Sequence, residues 1–130
     1  MTVCHTRLIV LTVLTIAVLC SPVDAQQSLA ELRARAEQGN DEAQYQLGLV
    51  YEDGEAIWWY RLAAEQGLAI AQYNLGVRYA AGEGVPQDDA EAVRWYRLAA
   101  EQGLAIAQYN LGVRYATGEG VPEDDAEAVR

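Results

Sequence analysis

The chain has 130 residues, with 9 arginines, no lysine, and 19 aspartates and glutamates, for a net charge of −10. An acidic balance of that size repels phosphate backbones and anionic lipid, which argues against nucleic acid as a partner. His5, Cys4 and Cys20 are the only histidine and cysteines, so imidazole and thiolate chemistry is confined to the first 20 residues.

Those residues differ in kind from the rest. Arg7 precedes a 13-residue apolar run from Leu8 to Cys20, and Val23-Asp24-Ala25 offers a small-residue scission site. This is the pattern of a secretory signal peptide (residues 1–25), cleaved after Ala25, and it predicts a periplasmic or secreted protein. The run falls short of the roughly 20 residues that span a bilayer, so a retained anchor is the weaker reading, and membrane contact is expected only through the uncleaved signal. Lipidation at Cys20 is weaker still, because bulky Leu19 stands where such sites carry a small residue. Cleavage removes both cysteines, so residues 26–130 form no disulfide and depend on packing alone. Ser28 falls in a segment expected to be flexible.

The remainder is repetitive. Residues 59–94 and 95–130 are two 36-residue copies that differ only at Ala81/Thr117 and Gln87/Glu123. A more diverged copy begins near Leu32. It aligns Gly54 with Gly82 and Trp59 with Trp95, and lacks the eight residues Gly84 to Glu91. Units of about 30–66 (with a shortened loop), 67–103 and 104–130 (truncated) follow.

Within the second unit, Gln66-Gly67 and Ala81-Gly82 bracket one helix, and Pro86 and Gly103 bracket another. In the first, helix A, Leu68, Ala71, Leu75 and Tyr79 recur at intervals of three and four, while Ile70, Tyr73 and Val77 make a second apolar face. Asn74 and Arg78 are the polar stripe left over. A helix apolar on two sides needs two partners, which a stack of helix pairs supplies. Helix B opens at Asp88, an N-cap, with Glu91 placed to complete a capping box. Ala92, Tyr96, Ala99 and Ala100 form its inward face, flanked by Trp95, with Arg94, Arg97 and Glu101 turned away. Gly103 and Leu104 fit a Schellman ending. Ala71, Gly76, Ala99 and Ala100 let backbones approach closely. The last stretch, from about Glu123 to Arg130, is too short for a full helix B, so the C-terminal end is expected to be open, which makes self-association there plausible.

These spaced positions resemble the Sel-one-like repeat (SLR) family, a relative of the tetratricopeptide repeat. They read Ala71, Leu75, Gly76, Tyr79, Gly82, Gly84 and Val85, then Asp88, then Ala92, Trp95, Tyr96, Ala99, Ala100 and Gly103. One unit on they recur at Ala107, Leu111, Gly112, Tyr115, Gly118, Gly120, Val121, Asp124 and Ala128. The resemblance implies an all-α, right-handed α/α solenoid of antiparallel helix pairs, with about two and a half to three repeats. The chain departs from the family by having no lysine in helix B, where Glu91 and Leu98 stand instead.

Catalysis finds little support. Beyond Ala25 the chain has no histidine, cysteine or lysine, and Ser28 and Thr117 are its only aliphatic hydroxyls, so no triad or soft-metal site can be assembled. Asp88-Asp89 with Glu91, repeated as Asp124-Asp125 with Glu127, sits at a helix start, where carboxylates cap and complement the dipole. Gly82-Glu83-Gly84 lacks the preceding strand of a phosphate loop. Some cysteine-rich SLR proteins are described as β-lactamase-like, but a Ser-x-x-Lys motif is impossible here. No metal, no cofactor and no enzymatic activity are therefore expected.

What remains is binding. With helix A lining the concave side, as the resemblance implies, the expected protein or peptide surface is Tyr73, Asn74, Val77 and Arg78, repeated as Tyr109, Asn110, Val113 and Arg114. Asn and Arg one turn apart could clamp a peptide through its amides or a carboxylate. The opposing reading buries Tyr73 and Val77 between units and leaves Arg78 as a solubilising charge. A cell-envelope scaffold recognising polysaccharide or peptidoglycan through exposed Trp58 or Trp59 is the alternative function.

Overall fold

A computed structural model describes residues 22–122. The signal-peptide run and the Glu123–Arg130 stretch lie outside the described residues. Six helices follow in order: α1 (Pro22–Glu37), α2 (Asp41–Val50), α3 (Asp53–Glu65), α4 (Ala69–Ala81), α5 (Asp89–Glu101) and α6 (Ala105–Thr117). Each packs on the next in the chain, the arrangement of an α/α solenoid. Helices α2, α4 and α6 are the A type and α3 and α5 the B type. Helix α1 stands where a B-type helix of a preceding unit would.

The turns explain the regularity. Gly39, Gly67 and Gly103 all have φ between +90° and +97°, a left-handed conformation that glycine adopts without Cβ strain. At the end of α5, Gly103 N–H donates to Ala100 C=O at 2.9 Å and Leu104 N–H to Ala99 C=O at 3.3 Å, the two bonds of a Schellman ending. Gly67-Leu68 and Gly39-Asn40 repeat the arrangement. The start of α5 is fixed by the Asp88 carboxylate, which accepts from Glu91 N–H at 3.0 Å. The reciprocal half of the expected capping box is not made. Asp88 N–H donates to Tyr79 C=O at 2.9 Å, tying the loop back to α4, and the Glu91 carboxylate accepts from Arg94 instead.

The shortened first unit closes differently from its sequence alignment. Gly54, aligned with the helix-ending Gly82, lies inside the first turn of α3. Only Tyr51 and Glu52 separate α2 from α3, and Asp53 supplies the positive φ, 52°. Asp is among the few residues that tolerate this region. The loop of the second unit packs across this junction: a Cβ on Gly84 would stand 2.7 Å from the Asp53 carbonyl. Ser28 belongs to helix α1, not to a flexible segment, because α1 starts at Pro22 and docks on α2.

The core is continuous from unit to unit. Leu47, Trp59 and Ala43 meet Ala36 of α1 in one cluster; Ala56, Tyr60, Ala64, Leu75 and Trp95 form the next. Small and large residues alternate by necessity. Gly76 lies under the Tyr96 ring and Gly48 under Tyr60, so close that a Cβ would come within 2.8 Å and 2.5 Å of those rings. The Nε1 atoms of Trp59 and Trp95 are buried without a hydrogen-bond partner, so these rings are held by packing. In addition, the Arg94 guanidinium lies over the Trp95 ring at 4.4 Å.

Candidate protein-binding surface

The helical register brings Tyr73 and Val77, and likewise Tyr109 and Val113, to one face of α4 and α6, with Asn74 and Asn110 beside them. The structure ties these side chains into a chain of contacts between units. Asn110 Nδ2 donates to the Tyr73 hydroxyl at 3.2 Å, and Asn74 Nδ2 donates to the Tyr45 hydroxyl at 3.4 Å. Each tyrosine also leans on a helix B ring: Tyr73 on Tyr96 at 5.8 Å, Tyr45 on Tyr60 at 6.0 Å. Tyr73, Asn74, Val77 and Arg78 are half-buried, whereas Tyr109 is 71% exposed.

The arginines are engaged within the fold. Arg78 Nη1 pairs with Glu83 at 2.7 Å, and Arg114 Nη1 pairs with Asp89 at 3.0 Å and Glu119 at 2.7 Å. These ion pairs use Nη1 of each guanidinium, so a peptide carboxylate would share Arg78 and Arg114 with the acids already there. Arg97 likewise does not simply turn away, since its Nη2 donates to the Tyr115 hydroxyl of the next unit at 2.7 Å.

Burial raises the Tyr60 and Tyr96 phenols above their usual pKa, against the opposing pull of Arg78 on the first and Arg114 on the second. Both tyrosines are neutral at physiological pH. They act as spacers under the candidate surface, with Gly48 and Gly76 beneath them.

Two features escaped the sequence. Leu49, 58% exposed, extends the row formed by Val77 and Val113, with Val50 beside it at 54%. Aligning Leu49 with Val77 across the deletion would have found it. Gln44 and Gln72 are the buried polar residues among those described: Gln44 Nε2 donates to Ala36 C=O at 3.0 Å and Gln72 Nε2 to Ala64 C=O at 3.1 Å. Gln108 makes the same bond to Ala100 at 3.2 Å. Their recurrence in all three copies was the available signal. Of the two tryptophans offered for sugar stacking, Trp59 is buried at 2% exposure because it fills the core against Ala36 and Leu47, and only Trp58, at 54%, is accessible. Among the described residues no cluster of His, Cys, Asp and Glu could hold a metal, and no helix is long and apolar enough to cross a membrane.

A family profile described as Sel1 repeat matches residues 41–68, 69–104 and 105–130. The chain belongs to the Sel1 repeat family. Its solved neighbours agree. A protective antigen of uropathogenic Escherichia coli strains displaying an SLR fold is 46% identical with a TM-score of 0.70, over 75% of this chain and 23% of that one. A Sel1 repeat protein from Oxalobacter formigenes is 43% identical with a TM-score of 0.68, over 73% of this chain and 77% of that one. The chain thus spans about a quarter of the length of the antigen it matches. No curated protein matches it. Sel1-repeat proteins generally mediate protein–protein interaction.

Proposed function

We propose that this Sel1-repeat protein is an exported adaptor, not an enzyme, that holds a partner protein or peptide on the helix A face formed by Tyr45 and Leu49, Tyr73 and Val77, and Tyr109 and Val113. The observation that carries the reading is the register: three successive A helices present an aromatic and an aliphatic residue four positions apart, with Leu49, Tyr109 and Val113 exposed. Exposed apolar residues grouped on one face favour partner contact over solvation. The Asn74 and Asn110 amides add hydrogen-bonding capacity beside the row, and Arg78 and Arg114 with their acids form its charged border. The apolar run after Arg7 supports export, and the absence of His, Cys and Lys beyond Ala25 supports binding over catalysis.

The test is a pull-down from the exported fraction, comparing the natural protein with Leu49→Asp/Val113→Asp. Partner recovery should fall at least tenfold with the melting temperature unchanged; equal recovery removes the surface from consideration. A second reading, glycan recognition in the cell envelope, is favoured by exposed Trp58, which stands edge-on to Trp59 at 4.4 Å. Trp58→Ala should then abolish binding on a glycan array, while leaving protein capture intact if the first reading holds.

A further inference from the structure

Every aspartate and asparagine of the chain is followed by a residue with a side chain, except at Asp53-Gly54. A side chain there hinders attack of the following amide nitrogen on the carboxyl carbon, and glycine removes the obstacle. The structure leaves both reacting groups open. Asp53 and Gly54 are exposed, as are Glu52 and Glu55 on either side, and nothing stands within 4 Å of the place a Cβ would take on Gly54. Gly54 lies in the first turn of α3, where a backbone N–H has no acceptor in its own helix, and it finds none elsewhere among the described residues. Nor does the Asp53 carboxyl hold a partner among them. Its counterparts are engaged: Asp41 accepts from Glu42 N–H, Asp88 from Glu91 N–H, and Asp89 pairs with Arg114.

The chemistry available to such a pair is ring closure. The Gly54 nitrogen bonds to Cγ of Asp53, the carboxyl OH leaves with the amide hydrogen as water, and a cyclic imide results. Water then adds at the imide carbonyl that was the Asp53 C=O, and the bond from that carbon to the Gly54 nitrogen breaks, the nitrogen staying joined to Cγ. The chain now runs through Cβ and Cγ at unchanged mass and charge, and the former backbone carbonyl is a free carboxylate. Two features of the seam make this change consequential. Asp53 holds a left-handed φ of 52°, disfavoured for an L-residue, and the added methylene releases that constraint. The carbonyl also seats the second unit's loop: a Cβ on Gly84 would lie 2.7 Å from its carbon and its oxygen. With only Tyr51 and Glu52 between α2 and α3, a longer backbone and a new carboxylate cannot keep that seat.

We propose that Asp53-Gly54 is a modification site at which the folded protein isomerises spontaneously to a β-aspartyl linkage, unseating the second unit's loop from the first. In the test the full chain is kept folded at neutral pH and physiological temperature for weeks, beside a sample unfolded in urea. Both are then denatured, and β-aspartyl residues are counted with isoaspartyl methyltransferase and a labelled methyl donor. Label should accumulate in the folded sample at a rate within tenfold of the unfolded one. It should fall in the tryptic peptide of residues 36–61, which splits into two species of equal mass. Gly54→Ala, which enters open space, and Asp53→Glu, whose ring would be one atom larger, should each lower the label at least tenfold with unchanged circular dichroism. A folded rate more than tenfold below the unfolded one, or undiminished label in either variant, overturns the proposal. The isomerised species, separated by chromatography, should melt several degrees below the parent, and an equal melting temperature overturns the unseating.

Discussion

Gln102 donates a 2.8 Å hydrogen bond from Nε2 to the Oε1 of Gln72, whose own Nε2 donates to the Ala64 carbonyl. Three helices, α3, α4 and the end of α5, are thereby joined through one buried amide. Gln66 and Gln44 repeat the link one unit earlier at 2.7 Å. Replacing Gln72 with Leu leaves Gln102 and the Ala64 carbonyl only their bonds to the Gly67 backbone, at 2.8 Å and 3.0 Å, and should cost about 0.5–1.5 kcal/mol. Urea unfolding followed by circular dichroism measures this. A loss of less than about 0.3 kcal/mol would show that water substitutes fully for the amide.

Gly76 and Gly112 occupy the same place in the repeat and should respond oppositely to alanine. At Gly76 the new Cβ would meet the Tyr96 ring at 2.8 Å and the Ala92 carbonyl at 3.2 Å, so Gly76→Ala should destabilise by about 1–3 kcal/mol. At Gly112 the space is open, and Gly112→Ala should stabilise by up to about 1 kcal/mol through helix propensity alone. Thermal melts of the two variants provide the comparison.

Trp95, 5% exposed, bridges the units, and Trp95→Ala should cost about 3–5 kcal/mol. Trp58, 54% exposed, offers the contrast, with Trp58→Ala expected within about 0.5 kcal/mol of the parent. Equal melting temperatures for the two variants would contradict the burial pattern.

Alkaline pH should weaken the fold. Tyr60 and Tyr96 have phenol pKa values raised above 10.0 by burial, so the folded state holds their protons more tightly than the unfolded chain. The associated stability is fully present below pH 10 and is lost as pH rises through the higher folded values. The melting temperature should therefore fall steeply above pH 10. Tyr96→Phe should flatten that dependence by removing one of the two phenols.

Removing the Asp88 side chain tests the helix start. Asp88→Ala frees Glu91 N–H of its 3.0 Å acceptor and should cost about 0.5–2 kcal/mol, as other caps do. Glu91→Ala should cost less, because its carboxylate bonds Arg94 and closes no capping box.

The sequence by itself determined what depends on neighbours a few residues apart. The repeat period, the apolar intervals of three and four, the Asp88 cap and the Gly103-Leu104 turn act within one or two helical turns, and they define the alternating A and B helices of the repeats and their order, but not α1, whose Ser28 was expected in a flexible segment. Gly76 was legible as a place of close backbone approach and Tyr96 as an inward-facing ring, but their pairing was not. Only the tertiary structure decided which polar groups meet across 18 to 37 residues of chain: Arg97 with Tyr115, Asn110 with Tyr73, Gln102 with Gln72, and Arg114 with Asp89. It also separated buried Trp59 from exposed Trp58, a distinction that their alignment with inward Trp95 and outward Arg94 already carried. The physical reason is that hydrogen bonds and ion pairs are directional. A periodicity fixes which face a side chain occupies, but the stacking distance and angle of the next helix fix whether its donor finds an acceptor.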